Sequence, residues 1–60
     1  MTLIKIAGDC KDGDCPAVYR TERGTIGVKG TPLEGVDCPG NEAIVEIPID
    51  LLRRAARVIS

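Results

Sequence analysis

Residues 17–29, Ala17-Val18-Tyr19-Arg20-Thr21-Glu22-Arg23-Gly24-Thr25-Ile26-Gly27-Val28-Lys29, hold two strand-forming runs on either side of a short polar break. Val, Tyr, Thr and Ile fit a pleated, half-buried surface, so 17–21 and 25–29 read as neighbouring strands. Glu22-Arg23-Gly24 has the length and composition of a three-residue hairpin loop, with Gly24 supplying the positive φ that ends such a turn. A hairpin alone is marginal in water, so this one needs further strands or a helix on its apolar face.

Working outward, Thr2-Leu3-Ile4-Lys5-Ile6 alternates and reads as a first strand with Ile4 and Ile6 on one face. Residues 8–16 concentrate Gly, Asp, Cys and Pro16 and read as a loop; 30–41, with Pro32, Gly35, Pro39 and Gly40, read as a second. Leu33 and Val36 are expected to turn inward and hold that second loop down. Ala43-Ile44-Val45-Glu46-Ile47 reads as a fourth strand, expected to be the best buried. Pro48 then ends ladder pairing and suits a helix start, where its missing N–H costs nothing.

The helix predicted from about 48 to 58 is strongly two-faced. At about 100° per residue, Leu51, Leu52, Ala55, Ala56, Val58 and Ile59 share one arc, and Arg53, Arg54 and Arg57 fill the other. Asp50 in the first turn and Arg57 near the last suit the helix dipole, and Asp50 and Arg54 are spaced to pair at i, i+4. The expected fold class is therefore α+β: a single domain over 1–60, with a small antiparallel sheet of three or four strands and one C-terminal amphipathic helix packed on it.

Sixty residues bury only about 60% of the surface their unfolded chain exposes, and Tyr19 is the sole aromatic, so the core rests on Val, Ile and Leu. The net charge of −1 is a poor match for a polyanion. Residues 1–46 carry five basic residues against eight acids, whereas residues 47–60 carry Arg53, Arg54 and Arg57 against Asp50, an asymmetry that orients a docking event. No apolar run is long enough to cross a membrane, and Leu3–Ala7 is too short and interrupted for an export signal, so the expected location is the cytoplasm.

Each cysteine directly follows an aspartate, in Asp9-Cys10, Asp14-Cys15 and Asp37-Cys38. A neighbouring carboxylate disfavours the thiolate, the form that attacks or ligates, and the chain has no histidine to serve as a base. Nucleophilic catalysis is discounted on that ground and the chain is read as no enzyme. Three readings stay open. Cys10, Cys15 and Cys38 are a metal-ligand set for zinc only if a carboxylate such as Asp14 or Asp37 completes it, because structural zinc takes four ligands and usually close pairs. A Cys10–Cys15 disulfide would contribute roughly 2 kcal/mol in the chain-entropy model but needs an oxidising setting. The favoured reading is packing: small, half-buried, reduced thiols, with the aspartates capping turns and no cofactor bound. Asp12-Gly13-Asp14 lacks the spacing of a calcium loop, since position 20 is Arg20.

Cys15, the Val18–Val28 hairpin and Ile47-Pro48-Ile49-Asp50-Leu51-Leu52 at the helix start together give a layout similar to a family of small actinobacterial domains, those associated with the BldB and WhiJ developmental regulators. The resemblance spans most of the chain. It implies an accessory of a helix-turn-helix transcriptional regulator with no reaction of its own. The expectation from the residues agrees in kind: a protein-interaction module contacting its partner through Arg53, Arg54 and Arg57 and an exposed strand edge, with a homodimer as another source of burial. Direct nucleic-acid binding is not expected, for want of stacking aromatics and basic charge. The alternative is a zinc-binding or thiol-redox-responsive module centred on the three Asp-Cys units.

Overall fold

The Glu22-Arg23-Gly24 loop closes as its composition requires. In the computed structural model, which describes residues 1–8 and 15–60, Gly24 has φ 77° and its N–H donates to the Thr21 carbonyl at 3.3 Å. Thr21 N–H donates to the Thr25 carbonyl at 3.0 Å. Thr21 Oγ1 lies 2.6 Å from Thr25 Oγ1 and accepts from Arg23 N–H at 3.2 Å. A single threonine hydroxyl thus satisfies turn donors that would otherwise need water.

The hairpin joins β2 (Ala17–Thr21) to β3 (Ile26–Lys29), and β1 (Leu3–Ala7) adds antiparallel on the far side of β2, giving the order β1-β2-β3. The register pairs Ile4 with Arg20 and Arg20 with Ile26, and Val18 with Val28. Because strand side chains alternate, Ile4, Val18, Arg20, Ile26 and Val28 share one face. The ladder shifts between Lys5 and Ala7, which brings both Ile6 and Ala7 against the core.

β4 (Thr31–Pro32) follows and pairs antiparallel with β5 (Val45–Glu46) as a separate two-stranded ladder. This corrects two expectations. The segment 43–47 is neither a strand of the main sheet nor its best-buried element: β5 is two residues long, and Ile44 is exposed. Pro32 sits opposite Val45 between hydrogen-bonded positions, and one bond beyond it, from Leu33 N–H to the Ile44 carbonyl at 3.1 Å, ends the pairing. Leu33 and Val36 are exposed instead of turned inward.

Gly30 sits where the chain leaves β3, and the position needs glycine. A Cβ there would intrude on the Glu46 carbonyl oxygen and lie 2.8 Å from the Ile47 side chain. That close approach lets the small ladder tuck beside the sheet and deliver Ile47 to the core.

Pro48, with extended backbone (φ −61°, ψ 142°), precedes α1 (Ile49–Ile59), and its carbonyl accepts from Leu51 N–H at 3.1 Å. α1 packs chiefly on β1 and β2. Leu51 and Ala55, four residues apart on one stripe, close on Val18, with Ile6, Ala7 and Ile47 around them. Val18 is 1% exposed and is the largest fully buried side chain. The rest of the apolar arc is not covered: Leu52, Val58 and Ile59 are exposed, as is Ile49. The expectation that the whole leucine face lies on the sheet therefore holds for only one stripe of it.

With so thin a core, Leu51→Ala should be close to unfolding the chain, because such a truncation costs about 2–5 kcal/mol and a core of this size supplies about 3–5 kcal/mol. Leu52→Ala, one residue on and exposed, should change stability by less than about 0.5 kcal/mol. Urea titrations followed by far-UV circular dichroism compare the two, and equal losses would contradict the single-stripe core. Gly30→Ala should lower the midpoint by the equivalent of about 1–3 kcal/mol, the usual cost of overpacking against backbone.

Candidate interaction surface

The solvent-facing side of α1 is set by its own periodicity, since placing Leu51 and Ala55 on the sheet turns Arg53 and Arg57 outward. The three arginines are not equivalent. Arg53 and Arg57 are exposed, whereas Arg54 is half-buried and holds Asp50 across one helical turn, Nε to Oδ2 3.4 Å. The expected Asp50–Arg54 pair is thus present. With side-chain exposures of 41% and 80% it is a solvated pair of small energetic weight. Its consequence is positional: it turns Arg54 toward β1, leaving Arg53 and Arg57 as the outward cations of the helix.

Arg54 and Val58 form one wall of a cleft of about 370 Å³, and Lys5, Ile6, Ala7 and Gly8 form the other. The cleft runs between the helix and the outer edge of the sheet. β1 and β3 are the two sheet edges, and β1 presents Leu3 and Ile4 exposed beside that edge. An exposed strand edge is the contact expected from the sequence, and β1 is an edge that carries exposed apolar side chains.

Cys15 and Cys38 are in different states. Cys10, Asp9, Asp12 and Asp14 lie outside the described residues. Cys15 is half-buried and is bonded in a disulfide, so its sulfur carries no thiol to ionise or to donate as a thiolate. Cys38 is a free, half-buried thiol on the long loop between β4 and β5. The reading of Cys15 as a reduced packing thiol is corrected on this point: a small domain with few buried side chains gains from a covalent staple. Among the described residues no group of three or more Cys, Asp, Glu or His side chains is placed to hold a metal ion.

A larger surface feature went unnoticed in the sequence. Ile49, Leu52 and Ile59 on the helix, and Ile4, Ile26 and Val28 on the sheet, are all exposed apolar side chains. Their types are legible, but their exposure follows from how little of the sheet one short helix covers. No helix of the described residues is long and apolar enough to cross a membrane. Comparison with known proteins finds no matching family model, no matching curated protein and no matching solved structure.

Alkylation followed by intact-mass measurement should modify Cys38 in the untreated protein and leave Cys15 unmodified until a reductant is added. Labelling of Cys15 without reductant would show that the disulfide is absent from the folded protein in solution.

Proposed function

We propose that this chain is a small non-enzymatic protein-interaction module, docking through the outer surface of α1 and acting as an accessory of a helix-turn-helix regulator. The observation that carries the interaction reading is the exposed surface. Among the described residues Ile4, Ile26 and Val28 on the sheet and Ile49, Leu52 and Ile59 on the helix are all exposed. Apolar side chains left bare on both the helix and the sheet are what contact with a partner would cover. Arg53 and Arg57 supply the polar rim and the sign of charge, opposite to the acidic body of the chain. The regulator as partner rests on the likeness of the Val18–Val28 hairpin and the Pro48-initiated helix to the BldB- and WhiJ-associated domains.

The Cys15 disulfide favours a second reading, a thiol-redox-responsive module. In the cytoplasm, where we place the chain, glutathione keeps thiols reduced, so a disulfide there forms only on oxidation and marks the oxidised state. The two readings are compatible if oxidation stiffens the domain and leaves the helix surface unchanged.

Calorimetric titration of the chain against the product of a neighbouring helix-turn-helix reading frame tests the interaction reading. Binding is expected, and Arg53→Glu with Arg57→Glu should weaken it at least about tenfold, with a loss of affinity as salt rises. A flat titration with every such neighbour would overturn the regulator assignment. Repeating the titration with added reductant tests the second reading, which requires the affinity to change.

A further inference from the structure

The hairpin's hydrogen bonds fix which way the polar groups of each strand point. Thr21 donates its N–H to the Thr25 carbonyl and accepts at its own carbonyl from Gly24 N–H, so both its groups face β3. Backbone groups alternate in direction along a strand, so those of Tyr19 and Ala17 also face β3, and those of Arg20 and Val18 face β1. On β1, Ile4 lies opposite Arg20 and turns its groups into that ladder. Leu3 and Lys5, opposite Thr21 and Tyr19, turn theirs away from β2. The outer side of β1 therefore presents the N–H and C=O of Leu3 and of Lys5. Among the described residues no backbone bond satisfies these groups.

This is also the side on which the cleft lies. Lys5, Ile6, Ala7 and Gly8 line it and no residue of β2 does, so it runs along the outer side of β1, with Arg54 and Val58 of α1 as its far wall. Its volume, about 370 Å³, falls in the range of recognition clefts, roughly 300–1,000 Å³. Of the two sheet edges, β1 is the one with a helix beside it, because α1 packs chiefly on β1 and β2. An unpaired edge bordered by a helix suits an added strand: main-chain bonds hold the arriving segment, and its alternate side chains are read on either face. Those on the helix side would meet Ile4, Val58 and Arg54. Those on the other side would meet Lys5, which alternation places on the face opposite Ile4.

Charge selects the occupant. The cleft lining carries two cations, Lys5 and Arg54, and no acid. Asp50, which holds Arg54, is 80% exposed, so a carboxylate arriving in the cleft meets Arg54 without breaking a buried pair. Lysine on an edge strand opposes pairing with a second copy of that strand, and with any basic segment, by bringing like charges together. An acidic segment gains a cross-strand pair with Lys5 on one face and a contact with Arg54 on the other.

We propose that the outer edge of β1 takes up an extended acidic segment of the partner protein as an added strand, bonded to the backbone of Leu3 and Lys5 and flanked by the Lys5 and Arg54 side chains. This rests on the interaction reading and deepens it, giving the partner a second contact of stated chemistry beside the outer surface of α1.

Amide shifts and hydrogen exchange of the whole isotope-labelled chain test this. The probe is an end-blocked octapeptide of valine, threonine and glutamate, compared with the same peptide carrying lysine for each glutamate. The acidic peptide should bind with a dissociation constant below about 1 mM and slow exchange of the Leu3 and Lys5 amides at least about tenfold. Lys5→Glu should weaken binding at least about tenfold. Leu3→Pro removes one outward donor and spares the ladder to β2, so it should weaken binding with an unchanged far-UV spectrum. No binding at about 1 mM, equal affinity for the lysine peptide, or shifts without amide protection overturns the inference. So does protection of the two amides in the free chain, which would mean that a second copy or the chain itself already covers the edge. A chain that binds the regulator but not the peptide loses the added strand alone, and one that binds neither loses the interaction reading as well.

Discussion

The contact of Leu51 and Ala55 with Val18 is the constraint on which the rest of the molecule depends. An eleven-residue helix is marginal in water by itself, and a three-stranded sheet with one bare face is little better. Each is stable only because the other removes its apolar stripe from solvent. Every other feature of the fold serves that contact. The shift in the β1 ladder brings Ile6 and Ala7 to it, Gly30 lets the small ladder approach so that Ile47 reaches it, and Pro48 starts the helix at its margin.

One helix cannot cover a sheet of three strands, and the surplus determines the character of the surface. α1 lies over β1 and β2, so the β3 half keeps Ile26 and Val28 exposed, while the helix keeps a second apolar stripe unused. In a larger protein further elements would cover both. Here both stay exposed among the described residues, apart from the charged side of the helix that carries Arg53 and Arg57. The placement of Arg54 illustrates how the helix surface is divided. Its pairing with Asp50 ties it to the helix surface beside β1, and Arg53 and Arg57 are left to face outward.

What could be read from the residues followed the range of the interactions involved. The hairpin was legible because its determinants lie within five residues of one another: Gly24 supplies the positive φ, and Thr21 and Thr25 close the loop. The helix boundaries, the Asp50–Arg54 pair and the outward Arg53 and Arg57 were legible because helical periodicity is local. The 43–47 segment was misjudged because its pairing partner, Thr31–Pro32, lies more than ten residues away in the chain. Leu33 and Val36 were expected inside because they are apolar, yet burial requires something to pack over them. For the cysteines, local charge around each sulfur was readable, but bonding depends on whether the backbone brings two sulfurs together.

Sequence alone determined the hairpin of β2 and β3, the strand near the start of the chain and the two-faced helix, since propensity, turn geometry and the 3.6-residue period are properties of neighbouring residues. Tertiary structure alone decided which half of the helix's apolar arc would be buried, that β4 and β5 would stand apart from the main sheet, and that Cys15 would be oxidised while Cys38 stayed free. Those outcomes depend on the distance between segments far apart in the chain. Hydrophobic burial is non-directional, so a pattern of apolar residues states that a surface must be covered without stating by what.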